Sequence, residues 1–445
     1  MSKIHLNPIN DDHLLEIFPT HFTDVGEASV LASRYKNKLC YSEATRWMSF
    51  DGQRWVMGDQ NARRAVHELV KTQEDIASNM EKLALIEEQQ AERDGDKLKA
   101  TQARNKQSQA QMNRRSALTY QQTNKVSAVL REAAPYLEIR IEDLDAIPEY
   151  LNTPAGTVDL RSGEVHPHNP ADMLTMITGC SPSRDGAVKW LEFIDSICES
   201  DKELSCYLQE VVGAIAIGKV YSEQIFIAIG PGGNGKSTFF NAIATVLGDY
   251  SFSVPADILT LDTRMNKNFI YGDLRGKRLI LAAELREGQR LDSSAVKLLS
   301  STDPIRGEHK FKDGFVFTPS HTAVLYTNVL PKVRATDDGT WDRLVLIPFN
   351  ARFRGQSGEK KNYADWLVNN CGGAILTWII EGAKRFIENG YKLTPPQCVK
   401  DMIAEYRAES DMLQRFILER CVQEKGFRQP SGALYLILTS ADSIC

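Results

Sequence analysis

One run of 25 residues, QIFIAIGPGGNGKSTFFNAIATVLG at positions 224–248, constrains this chain more than any other. An apolar, strand-forming segment from Ile225 to Ile229 leads into a glycine-rich loop, and a helix-forming segment follows Lys236. Gly230, Gly235, Lys236 and Ser237 match the spacing GxxxxGK[ST]. Four fixed residues at average frequencies match by chance in roughly one chain of this length in a hundred, and the strand-loop-helix order lowers that further. The pattern demands an α/β fold in which a parallel strand delivers the loop to the start of a helix.

Phosphates need this arrangement for physical reasons. Glycines at 230, 232, 233 and 235 permit positive-φ turns that aim consecutive backbone N–H groups inward, a nest for anionic oxygens. The helix opening at the same point adds its positive end. The expected binding segment is Gly230, Pro231, Gly232, Gly233, Asn234, Gly235, Lys236, Ser237 and Thr238. Lys236 is expected to neutralise the β and γ phosphates of ATP, and the Ser237 hydroxyl to ligate Mg²⁺.

The hydrolytic acid is expected at the end of another strand of the same sheet, beside the loop. GKRLILAAEL supplies an apolar run closing on Glu284. A carboxylate there can orient and deprotonate the attacking water without bonding to the γ-phosphate. Ala283 precedes it where many such enzymes carry a metal-holding Asp, so metal binding rests on Ser237, phosphates and water.

At 445 residues and 42% hydrophobic, the chain can bury several cores. Four regions are expected: a mostly helical 1–135 with a long polar insertion, a small β-hairpin and helix module at 136–200, the ATPase domain at 201–352, and a helical C-terminal region at 353–445. In the first, RWMSFDGQRW reads as a hairpin with Trp47 and Trp55 around an Asp51-Gly52 turn. From Asn61 to Ala134 there is no proline and one glycine, Gly95, which predicts a long helical hairpin broken near Asp94-Gly95-Asp96. Val66, Leu69, Ile76, Met80 and Leu83 form one narrow apolar stripe on it, and its charges of mixed sign read as a solvated face.

The net charge of -5 argues against coating nucleic acid by bulk positive charge, so any such contact is concentrated in local basic elements. Eight cysteines fall without CxxC pairs or metal-ligand rhythm and read as reduced thiols. The N-terminus lacks the build of a signal peptide and no window reaches the length of a membrane span, which places the chain in the cytoplasm with no membrane partner.

Four ordered motifs, GPGGNGKST, RLILAAE, LLSSTDPIRGEHKFKDGFVFTPSHTAVLYTN and DDGTWDRLVLIPF, resemble those of superfamily 3 helicases. The nearest group is the phage and plasmid primase-helicases, with the related poxvirus-type ATPases. The resemblance implies an AAA+-like ATPase that assembles as a ring, usually a hexamer, around single-stranded DNA and moves 3′ to 5′. Asn328, ending TAVLYTN, matches the family's sensor, which would hydrogen-bond the γ-phosphate or the water; an amide there can also cap the following turn. Between Asp303 and Phe317 the family carries a hairpin that grips DNA, making Arg306, His309, Lys310 and Lys312 the candidate DNA contacts, with Phe311 stacking.

A ring motor generally completes each site with a cation from the neighbouring subunit. Trp341, Asp342 and Arg343 match the family's pattern at that point, although Asp342 stands where a basic residue is common; Arg343 is the expected arginine finger and Arg334 the fallback. Relatives often carry a primase domain upstream and a winged helix at the end. The expectation here is no primer synthesis, a separate primase and host replication proteins as partners, and a shortened winged helix around the apolar run ALYLIL. The sequence thus points to an ATP-dependent DNA helicase or translocase of phage, prophage or plasmid replication. An ATP-switched initiation or loading factor, or a prophage remnant without a working ring, stands as the alternative.

Overall fold

The computed structural model describes residues 17–261, 267–308, 314–333, 337–355, 360–410, 421, 428–430 and 432. Two compact units divide the chain: residues 1–146 with 169–175, and residues 147–168 with 176–445.

In the first unit, helix α1 (Asp24–Tyr35) is capped by Thr23, whose hydroxyl accepts from the Gly26 N–H at 3.1 Å. Strands β1 (Leu39–Ser42), β2 (Arg46–Phe50) and β3 (Trp55–Met57) form an antiparallel sheet. The Asp51-Gly52 turn is where the sequence puts it, because the Asp51 carboxylate accepts from the N–H groups of Gln53 and Arg54 and Gly52 takes φ +104°. Trp47 and Trp55 are buried on this hairpin. Two long antiparallel helices follow, α2 (Asp59–Arg93) and α3 (Lys97–Tyr120), then α4 (Thr123–Ala133). Gly95 at φ +71° and an Asp96 cap on Lys99 make the break between the long pair.

The seam between α2 and α3 differs from the expected stripe. Val66 and Leu69 are buried, but Leu83 is 49% exposed, and the hairpin instead closes on Ala77, Ala84 and Ala91 facing Ala103, Ala110 and Ala117. A spacing of seven keeps each alanine set on one face, and so small a side chain draws the helices together until no leucine fits between them. Charges close over the outside: Arg104 bridges Glu88 and Glu92, and Lys106 meets Glu87 at 2.8 Å. These exposed pairs satisfy one another and add little stability.

The second unit is mixed α/β, the class the sequence demands. It opens with an antiparallel sheet, β4 (Tyr150–Thr153), β5 (Gly156–Asp159) and β6 (Glu164–His166), then α5 (Ala187–Ile197) and α6 (Lys202–Ala216). The chain continues through β7 (Ile225–Ile229), α7 (Lys236–Leu247), β8 (Ser251–Pro255), α8 (Lys267–Gly272), β9 (Leu279–Ala283) and α9 (Ser293–Ser300). It ends with β10 (Ile305–Gly307), β11 (Phe315–Phe317), β12 (Thr322–Thr327), α10 (Asp338–Trp341), β13 (Leu344–Pro348), α11 (Tyr363–Glu388) and α12 (Gln397–Ser410).

Five of these strands make one parallel sheet in the order β13-β7-β12-β9-β8. Its central strands are near-continuous apolar runs because both faces are covered. Under the glycine-rich loop, Trp190 of α5 stacks on Phe239 of α7 and meets Trp378 of α11 edge-on, at centroid distances of 5.9 and 5.5 Å. Helices α6 and α11 cross at paired glycines: a Cβ on Gly213 would lie 2.1 Å from the Ala383 nitrogen, and one on Gly382 2.1 Å from the Gln209 carbonyl oxygen. Only glycine lets those backbones meet.

Candidate active site

Because the five strands run the same way, their C-terminal ends discharge four loops along one edge of the sheet. β7 releases the glycine-rich loop, β9 ends one residue before Glu284, β12 one residue before Asn328, and β13 leads into the segment 349–354. They surround a cavity of about 450 Å³, which Gly232 to Thr238, Glu284 and Asn328 all line. That volume lies in the range of small-ligand sites.

Helix α7 starts at Lys236, as its sequence predicts, behind Gly235 at φ +87°, a cap residue with no side chain; of its first amides, Lys236 N–H donates to Asn234 Oδ1 at 3.4 Å. The next N–H groups face the loop ready for an anion. The positive φ expected at four glycines occurs at Gly233 and Gly235 only. Gly230 is needed for space instead, since a Cβ there would lie 2.0 Å from the Phe349 carbonyl oxygen and 2.3 Å from Asn234 Nδ2. Gly232 lies under the side chain of Arg354, 3.5 Å from Nη1 to the position of an added Cβ.

The loop is locked by Asn234, which is buried: its Nδ2 donates to the Phe349 carbonyl at 2.6 Å. Lys236 is buried too, and its Nζ donates to the Gly230 carbonyl at 2.9 Å, to Asn234 Oδ1 at 3.3 Å and to Asn328 Oδ1 at 2.5 Å. Burial lowers the pKa of this ammonium, and the charge of Glu284 works against that shift. An ammonium held by neutral acceptors in a partly dehydrated site gains more from an incoming anion than one already ion-paired.

Glu284 follows a strand two places from β7 in the sheet and lines the same cavity as the loop. β12 lies between β7 and β9, so the acid is not on the neighbouring strand. The reason is pairing: β12 bonds to both strands along its length and so carries Asn328 between Lys236 and Glu284. Glu284 adopts φ +57°, uncommon for a residue with a side chain, and its N–H donates to the Tyr326 carbonyl at 2.9 Å. Left-handed backbone costs about 1 kcal/mol, and strain of this kind gathers at functional sites.

Arg343 lies at the opposite edge of the sheet. It precedes β13, its carbonyl accepts from Ile225 N–H, and its guanidinium pairs with Glu223 at 2.7 Å and donates to Ser300 Oγ at 3.2 Å. It takes no part in the cavity of its own chain. β10 and β11 pair as the expected hairpin, with Arg306 exposed opposite Val316. His309, Lys310, Phe311 and Lys312 lie outside the described residues, as do Arg334 and the ALYLIL run.

Sequence reasoning missed the far wall of the cavity, made by Glu192, Phe193 and Ser196 of α5 with Phe353, Arg354, Lys360 and Tyr363. The basic spacing ARFRGQSGEKK was the available signal for Arg354 and Lys360. Tyr363 meets Phe193 edge-on at 5.6 Å, and Lys360 Nζ lies 4.5 Å from the Tyr363 ring centroid.

Residues 28–199 match the family described as D5 N terminal like, and residues 228–343 match a family of unknown function (DUF5906). Among similar curated proteins, Putative helicase L207/L206 of Acanthamoeba polyphaga mimivirus is 24% identical over 62% of this chain and 31% of its own length. Putative helicase 121R of Invertebrate iridescent virus 3 is 23% identical over 49% of this chain and 26% of its own. This chain therefore spans about a third or less of the length of these relatives. A solved structure of the NrS-1 C-terminal region aligns over 58% of this chain and 64% of that one at 13% identity and a TM-score of 0.38, too loose a fit to carry an argument. The resemblance to superfamily 3 helicases that the four motifs carry is shown by the D5-type match and by these virus proteins. Among the described residues no helix is long and apolar enough to cross a membrane.

Proposed function

We propose that this chain is an ATP-driven translocase, the motor part of a DNA helicase of phage, prophage or plasmid replication, built on an AAA+-like P-loop core. The observation that carries the reading is the meeting of Lys236, Asn328 and Glu284 at one cavity beside the start of a helix. The convergence on one cavity of three motifs scattered over about a hundred residues supports phosphate chemistry there.

In this reading Lys236 leaves its neutral acceptors for the β and γ phosphates, and backbone N–H groups of 232–237 hold the remaining oxygens. Glu284 takes a proton from the attacking water as the water oxygen bonds to the γ-phosphorus and the bond to the bridging oxygen breaks. The Asn328 amide donates to the water or the γ-phosphate. Glu192 and Glu284 are the carboxylates lining the cavity, and no cluster of three His, Cys, Asp or Glu side chains among the described residues could hold an ion by itself. That donor set fits Mg²⁺ bound through the Ser237 hydroxyl and the phosphates, offsetting charge on them.

Arg343 would act on the neighbouring subunit's nucleotide in a ring, which fits its position at the far edge of the sheet. Arg306, His309, Lys310 and Lys312 would meet DNA phosphates from the β10–β11 hairpin. Stacking averages about 1.4 kcal/mol per base-pair step, so unwinding many pairs requires repeated nucleotide cycles. The test is steady-state ATP hydrolysis with and without single-stranded DNA. Stimulation by DNA that Lys236→Ala abolishes is expected; hydrolysis indifferent to DNA, with no DNA binding, would move the reading to an ATP-switched loading factor.

A further inference from the structure

We infer that Arg354 is a second own-chain cation for the phosphates of the bound nucleoside triphosphate, completing on one subunit the charge that Lys236 begins. The inference rests on reading the cavity as a nucleoside triphosphate site.

The chain leaving β13 folds back across the glycine-rich loop and is tied to it at two points. Phe349 accepts from Asn234 Nδ2 at 2.6 Å, and the Phe353 N–H donates to the Gly233 carbonyl at 2.8 Å. Those two bonds set Arg354 over the loop: a Cβ on Gly233 would fall 2.5 Å from Arg354 Cβ. Gly233 is thus glycine twice over, for its φ of +80° and for the space Arg354 fills.

Charge points the same way. ATP with its metal still presents several anionic oxygens, and beside Lys236 the cavity offers Arg354 and Lys360 as cations. Among the described residues no carboxylate pairs with the exposed Arg354, whereas Arg343 is held by Glu223 at 2.7 Å. A guanidinium fork suits two phosphate oxygens at once, and this one is anchored to the same loop whose amides bind the phosphates. A finger from a neighbour arrives only when a ring closes. Arg354 is in place in a single chain.

The experiment measures the affinity of the purified full chain for a fluorescent ATP analogue, comparing wild type, Arg354→Ala, Arg354→Lys and Lys236→Ala. Arg354→Ala should weaken binding at least tenfold, with Arg354→Lys between it and wild type and melting temperatures without nucleotide unchanged. Wild-type affinity in Arg354→Ala, while Lys236→Ala binds poorly, would overturn the role of Arg354 alone. Undiminished binding by Lys236→Ala would overturn the nucleotide-site reading beneath it. Hydrolysis restored by mixing Lys236→Ala with Arg354→Ala subunits would show that Arg354 acts on a neighbour, which also overturns the inference.

Discussion

The two ends of the five-stranded sheet are built from the same strands and do opposite things with charge. At the C-terminal end, Lys236 is held by three neutral oxygens and Arg354 stands exposed over the glycine-rich loop. At the N-terminal end, Arg343 is already paired with Glu223 and bonded to Ser300. One edge is ready for an anion in an isolated chain. The other must surrender an ion pair before its cation can serve anything else. In the proposed ring this asymmetry would keep a cation that acts on a neighbour quiet until that neighbour arrives.

The largest loss is expected at Glu284, on the C-terminal edge of the sheet. Glu284→Gln should lower hydrolysis about a thousandfold while ATP binding stays within a few-fold, read by phosphate release and by analogue titration. Retained hydrolysis would place the base elsewhere. Next in size, Arg343→Ala should cost the assembled protein on the order of a hundredfold in hydrolysis and leave ATP affinity unchanged. Weakened affinity in that variant would mean that the far edge of the sheet is not separate from the near one.

A smaller effect tests the restraint on Arg343. Glu223→Gln removes the charge that holds Arg343, and hydrolysis without DNA should rise a few-fold. An unchanged basal rate would show that the pair restrains nothing. The smallest effect on activity, none, is expected from Glu27 in the other unit, where burial raises the carboxyl from 4.5 to about 7 despite a hydrogen bond from Gln73.

The sign follows from linkage. A carboxyl with a raised folded pKa binds its proton more tightly in the fold, so its contribution is fully present below about 4.5 and lost as pH rises through about 7. Glu27→Gln should therefore raise the melting temperature at pH 8, flatten its fall from pH 5 to pH 8 and leave hydrolysis alone, the stability gain at pH 8 being up to about 3 kcal/mol.

What the sequence made legible follows from the range of the interactions. The loop, its strand and its helix are consecutive in the chain, so local pattern sufficed for Gly230 to Thr238. Glu284 and Asn328 were legible because each ends an apolar run, and parallel strands carry such ends to one edge. The interposed position of β12 was not, since strand order is set by pairing that no local pattern records. Arg354, Lys360 and Tyr363 reach the cavity only because Asn234 and Gly233 hold the returning segment, a bond between residues more than a hundred positions apart. The alanine seam of the long hairpin was hidden for another reason: alanine at every seventh position is inconspicuous among Gln, Lys and Arg until a second helix is laid against it.

The most direct test of the division between the two edges is to mix subunits that are each inactive. Lys236→Ala destroys the near edge and keeps Arg343; Arg343→Ala does the reverse. If the edges serve sites on adjoining chains, the mixture regains ATP hydrolysis that neither variant shows alone, because some interfaces then join an intact Lys236 to an intact Arg343. A mixture no more active than the sum of its parts would contradict the account.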